Sequence, residues 1–98
     1  MQVAALRFEL HIPDSRSLKA KRSVLRPIVE GLRRRLSVSV SEVDHHDTWQ
    51  RAAIGVAVVA PDAAHLEQLL QAIHDYVDRH EPEVVVLEVS VAYLEEPG

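Results

Sequence analysis

The apolar positions change period along the chain, and each change marks an element. Leu6, Phe8, Leu10 and Ile12 alternate with Arg7, Glu9 and His11, the period of a strand buried on one face. Pro13-Asp14 ends it. Leu18, Leu25, Ile28, Val29, Leu32 and Leu36 then recur at three-, four- and seven-residue spacing, which predicts a first helix of about five turns with Ser15 or Ser17 as its cap. Pro27 falls inside this helix and predicts a kink rather than two helices. Val38, Val40 and Val43 suggest a second strand, with a bulge near Glu42 where alternation fails, and Asp44-His45-His46-Asp47 reads as its turn. A third strand is expected at about 52–60, with Ile54, Val56 and Val58 on one face and Ala53, Gly55 and Ala57 on the other. Asp62 caps a second helix traced by Leu66, Leu69, Leu70, Ile73 and Val77 and ending near His80. A last strand runs from Val84 to Leu94, with Val85, Leu87, Val89, Val91 and Tyr93 on its more apolar face, before a loose tail Glu95-Glu96-Pro97-Gly98.

The order β-α-β-β-α-β is a split βαβ arrangement with right-handed crossovers. It predicts an α+β, ferredoxin-like sandwich: a four-stranded antiparallel sheet with both helices on one face. The 98 residues suit a single domain, 1–98, and leave no length for a second. An apolar content of 47% excludes intrinsic disorder, and the lack of a long apolar run excludes a membrane-spanning helix. No cysteine is present, so disulfides, thiol catalysis and cysteine-bound metal are excluded. The start has no basic segment followed by an apolar stretch, so the expected location is cytoplasmic.

Charge changes this picture more than composition does. Arg16 to Arg35 carries eight basic residues against Glu30 alone, a net of +7, whereas the whole chain is −4 and the remainder therefore −11. A concentrated basic patch attracts polyanions even on an acidic molecule. On a helical wheel Lys19, Arg22, Arg26 and Arg33 form one stripe beside the apolar arc, Arg34 and Arg35 spread around the last turn, and Lys21 sits inside the arc and is expected to snorkel past it. Contact with the phosphates of a nucleic acid is one reading of Lys19, Lys21, Arg22, Arg26, Arg33 and Arg34. The other is a solvated face whose last arginines offset the helix dipole by about 0.3–1 kcal/mol.

Several segments together resemble the bacterial YlxP-like family, also called domain of unknown function 503. They are Ser17-Leu18-Lys19-Ala20-Lys21-Arg22, Val38-Ser39-Val40-Ser41-Glu42-Val43, and Asp47-Thr48-Trp49-Gln50-Arg51-Ala52 leading to Ile54-Gly55-Val56-Ala57. The resemblance covers nearly the whole chain. It implies a small ferredoxin-like protein often encoded beside genes for translation initiation and ribosome maturation, and no established activity.

The remaining motifs favour structure over chemistry. Adjacent histidines on an extended chain point to opposite faces, so Glu42, Asp44, His45, His46 and Asp47 are not expected to hold a metal. Glu42, Asp47, Trp49 and Gln50 are expected to serve the hairpin or an interface, Asp47 by bonding turn backbone and Trp49 as an anchor. No nucleophile with its base and no glycine-rich phosphate loop is visible. An acylphosphatase-like site would need an asparagine, and the chain has none. A small-molecule regulatory domain of the ACT type is disfavoured because no glycine-bearing loop follows the first strand. The third strand also lacks the exposed aromatics with which RNA-recognition sheets stack bases.

The sequence therefore predicts a non-enzymatic protein without cofactor that assists ribosome or RNA-related assembly. Its basic first helix would contact rRNA or a ribosomal particle, with no membrane role. The alternative is a homodimeric protein-interaction module, joined through its open sheet face, whose basic helix binds an acidic protein. Small side chains on that face would let a second sheet approach, provided Arg7 and Glu9 found partners.

Overall fold

A computed structural model describes residues 1–95; Glu96, Pro97 and Gly98 of the expected tail lie outside the described residues. The elements are β1 (Gln2–His11), α1 (Leu18–Leu36), β2 (Ser39–Asp44), β3 (Arg51–Ala60), α2 (Ala63–Asp78) and β4 (Val85–Glu95). The strands form one sheet in the order β2-β3-β1-β4, antiparallel at every pairing. Both helices cover one face, and the fold is a ferredoxin-like α+β sandwich.

The core follows from the alternation. Leu6, Phe8 and Leu10 of β1 and Ile54, Val56 and Val58 of β3 turn inward against Leu25, Ile28 and Leu32 of α1 and Leu66, Leu70, Ile73 and Val77 of α2. Each such side chain contributes about 1.5–3 kcal/mol by leaving water. These long apolar strands occupy the centre of the sheet, whereas the short β2 alternates buried Val40 with exposed serines and lies at an edge.

α1 is one continuous helix across Pro27. Ser17 is its N-cap, accepting from the Ala20 amide at 3.0 Å, while the buried Ser15 hydroxyl donates to the Ser17 carbonyl. Its other end is closed by Ser37 in the left-handed region, φ 54°. Gly31 lets the two helices cross closely, because a Cβ there would stand 1.7 Å from the Tyr76 hydroxyl oxygen. Tyr76 donates to the Pro27 carbonyl at 3.3 Å and fixes that crossing. Asp62 caps α2 by accepting from the His65 amide at 2.9 Å, and this bond holds its carboxyl below the usual carboxylate range.

Two differences from the sequence reading concern β1 and β4. β1 begins at Gln2 because Ala4, too small to register in the apolar pattern, is buried. In β4, Glu88 faces Glu9 while Val86 faces Leu10, so Leu87 is a bulge. The bulge moves Val86, not Val85, to the helix side with Val89 and leaves Leu87 half exposed, correcting the single apolar face expected for this strand. Glu95, assigned to the tail by sequence, is the last residue of β4.

Candidate functional site

The outward face of α1 carries the cations singled out by sequence, and they fall into distinct environments. Lys19, Arg22, Arg26 and Arg34 are exposed and make no ion pair among the described residues. Arg33 is exposed but turns toward the sheet edge, donating to the Val40 carbonyl at 2.6 Å. Arg22, Arg26 and Arg33 thus line one wall of a cleft of about 280 Å³ between α1 and β2, with Glu30, Ser41 and Glu42 also on its walls. Arg35 lies over the Tyr76 ring, 5.7 Å from its centroid.

Lys21 is a correction. Its side chain is 2% exposed, and its ammonium donates to the carbonyls of His45 (2.7 Å), Arg51 (3.3 Å) and His46 (3.4 Å) while lying 3.4 Å from Glu42 Oε2. Instead of snorkelling to phosphate, it fills the inside of the turn at the tip of the β2–β3 hairpin. Burial of a charge is tolerated there because carbonyls and a carboxylate converge on all its donors. Its position inside the apolar arc was the available sequence signal.

Gln50 is the hairpin's second tie. Its side-chain amide donates to the carbonyls of Pro13 (3.2 Å) and Ser15 (3.3 Å), and its own carbonyl accepts from the Ile12 amide (2.9 Å). Two expectations change here. The turn carboxylate that bonds backbone is Asp44, accepting from the His45 amide at 2.7 Å, whereas Asp47 is exposed and makes no hydrogen bond among the described residues. Trp49 is 53% exposed beside Arg16, Asp47, Thr48 and Gln50, so it is not buried as an anchor of the hairpin, and its role at an interface stays an expectation. The two histidines diverge: His45, at φ 60°, meets Glu9 on the open face at 2.9 Å, and His46 approaches Glu42 on the helix side at 3.8 Å.

The open face of the sheet is graded from apolar to charged. Cross-strand rows read Val59-Val3-Leu94, then Ala57-Ala5-Ala92, then Gly55-Arg7-Ser90, then Ala53-Glu9-Glu88. At the charged end, Glu9 accepts from Arg7 (2.8 Å), Arg51 (3.1 Å) and His45 (2.9 Å), and Arg7 also reaches Asp44 (3.1 Å). The Arg7 bond foremost, with help from Arg51 and His45, holds the Glu9 carboxyl below its ordinary range against the opposing effect of desolvation. Sequence reasoning did not find this network, because its members come from β1, the turn and β3. Ala53 is fully buried on this face and Gly55 lies under Val43, whose Cγ1 would be 3.0 Å from an added Cβ. Ala53 and Gly55 accommodate the protein's own side chains, whereas Ala5, Ala57 and Ala92 are exposed and continue the open surface toward Val59, Val3 and Leu94.

Residues 3–91 match the family described as "Protein of unknown function (DUF503)". The chain belongs to this family. A DUF503 relative, "Uncharacterized protein YlxP" of Bacillus subtilis (strain 168), is 39% identical over 70 residues, spanning 71% of this chain and 76% of the relative. Among solved structures, the de novo designed protein LFR1 1 with ferredoxin fold aligns with a TM-score of 0.55 at 8% identity, covering 100% of this chain and 89% of the other. A C-terminal segment of the alpha subunit of aIF2 from Pyrococcus abyssi aligns at 0.58 and 19% identity, covering 97% of this chain and 51% of that one. At these identities the structural likenesses show the DUF503 fold and nothing of its activity. No helix among the described residues is long and apolar enough to cross a membrane.

Proposed function

We propose that this DUF503 protein binds the phosphate backbone of RNA through the outer face of α1 and thereby assists ribosome or RNA-related assembly in the cytoplasm, without an enzymatic step. One observation carries the reading: Lys19, Arg22, Arg26 and Arg34 stand exposed and unpaired among the described residues, in a chain with more acids than bases. The acids that form ion pairs among the described residues, Glu9, Glu42, Asp44 and Asp62, serve other partners. Along the helix axis Lys19 and Arg26 are about 10 Å apart, so one helix can follow a short stretch of backbone. Contacts of this kind position without reading bases.

The test is anisotropy of labelled rRNA fragments between about 50 and 200 mM salt, the range in which counterion release is resolved. With about three or four phosphates engaged, log affinity falls against log salt with a slope near −3. Changing Lys19, Arg22, Arg26 and Arg34 together to glutamine abolishes binding and leaves the fold intact. Equal binding by that variant sinks the reading.

A second reading, the homodimeric interaction module, is supported by the apolar end of the open face. Val59 and Leu94 are 65% and 67% exposed and flank Val3 in one row, an arrangement that a second copy related by a two-fold axis would cover. In that reading the basic helix meets an acidic protein.

A further inference from the structure

Trp49 is the chain's single tryptophan and is 53% exposed, yet the backbone on both sides of it is pinned. The Thr48 amide donates to the His45 carbonyl at 3.0 Å, the Gln50 carbonyl accepts from Ile12, and Lys21 holds the carbonyls of His45 and Arg51. The indole is thus presented on a braced loop without being used to brace it, which lowers the ordering cost of any contact it makes. Beside it lies a shallow hollow of about 540 Å³ lined by Arg16, Asp47, Thr48, Trp49 and Gln50. The exposed lining is mostly apolar surface, and the residues around the indole are polar or charged.

A mostly apolar surface edged by polar and charged residues fits a nucleobase. A base needs a flat π surface for its face and hydrogen-bonding groups for its edge, and Trp49 supplies the first while the Asp47 carboxylate and Thr48 hydroxyl supply the second. Arg16 adds a cation for the attached phosphate. It precedes α1 directly at the Lys19 end, where the row of unpaired cations begins. We infer that Trp49 stacks an unpaired base of the RNA while Arg16 holds that nucleotide's phosphate, so that the protein selects single-stranded or bulged RNA over duplex. This rests on the backbone-binding reading and adds a stacking contact to it.

The single tryptophan makes its own fluorescence the probe. The full chain is titrated with a labelled, unstructured oligoadenylate of about ten nucleotides, and separately with a duplex of similar length, reading indole fluorescence and label anisotropy together. The single strand quenches the indole, whereas the duplex raises anisotropy with the indole unchanged. Trp49→Ala weakens the single strand roughly ten-fold and leaves the duplex unaffected, Trp49→Phe restores part of the loss, and Arg22→Gln weakens both. Because the ring is exposed, circular dichroism of Trp49→Ala should match the unmutated protein. Single-strand binding that leaves the indole unchanged, or that survives Trp49→Ala at full strength, overturns the stacking contact and leaves the backbone reading standing. Absence of any anisotropy change with either RNA at the lowest salt overturns both.

Discussion

Lys21 Nζ lies 2.7 Å from the carbonyl oxygen of His45, joining the first turn of α1 to the tip of the β2–β3 hairpin across 24 residues of sequence. Together with the carbonyls of Arg51 and His46 and the carboxylate of Glu42, this contact makes the hairpin tip rigid with respect to the helix. The basic face and the exposed indole are held in one frame as a result.

Replacing Lys21 by methionine keeps the stem and removes the ammonium, leaving those carbonyls without their donor and Glu42 without its neighbouring charge. The expected cost is about 2–3 kcal/mol, read as a lower midpoint in urea. Arg22→Gln, one position away on the exposed face, should stay within about 0.5 kcal/mol of the unmutated protein. Equal stability of the two variants would show that the clamp contributes nothing.

Charge removal along α1 should be graded by position. Lys19→Gln, Arg22→Gln and Arg26→Gln each reduce the salt slope of RNA binding by about one, weakening all sequences alike. Arg33→Gln differs, since it also breaks the bond to the Val40 carbonyl and should lower the urea midpoint. Sequence-dependent losses in these titrations would contradict backbone contact.

Acid should loosen the open face through Glu9. Its carboxyl is held below the ordinary value by Arg7, Arg51 and His45, so it contributes stability above pH of about 4.3 that is lost as pH falls through its lowered folded value. The urea midpoints of the unmutated protein and Glu9→Gln should therefore differ at neutral pH and converge in strong acid. Asp44 and Asp62, also held low, leave a residual acid dependence in the variant. A gap that persists unchanged into acid would exclude a role for the Glu9 charge.

In the dimer reading, self-association depends on the apolar end of the open face. The chain mass is 11.0 kDa, and light scattering should report twice that for the unmutated protein but not for Ala57→Glu or Leu94→Glu. A monomer before mutation removes the dimer reading.

Alternation in β1 and β3, the three- and four-residue spacing of both helices, the Asp62 cap and the bulge beside Glu42 were all legible in the chain. Such patterns are local, since a side chain's face depends on neighbours a few residues away. The same locality placed Lys19, Arg22 and Arg26 together on α1. It failed for the Leu87 bulge, because an inserted residue becomes visible only against the partner strand, where Glu88 meets Glu9 and Val86 meets Leu10. It failed again for Lys21, whose acceptors come from the hairpin, and for Glu9, whose donors come from β1, the turn and β3. By itself, then, the sequence determined the elements, their order and the apolar face of most of them. Which charges remained free and which were consumed inside the molecule was decided only when distant segments met, because a lysine or glutamate is stabilised by the polar groups around it in space and not by its neighbours along the chain.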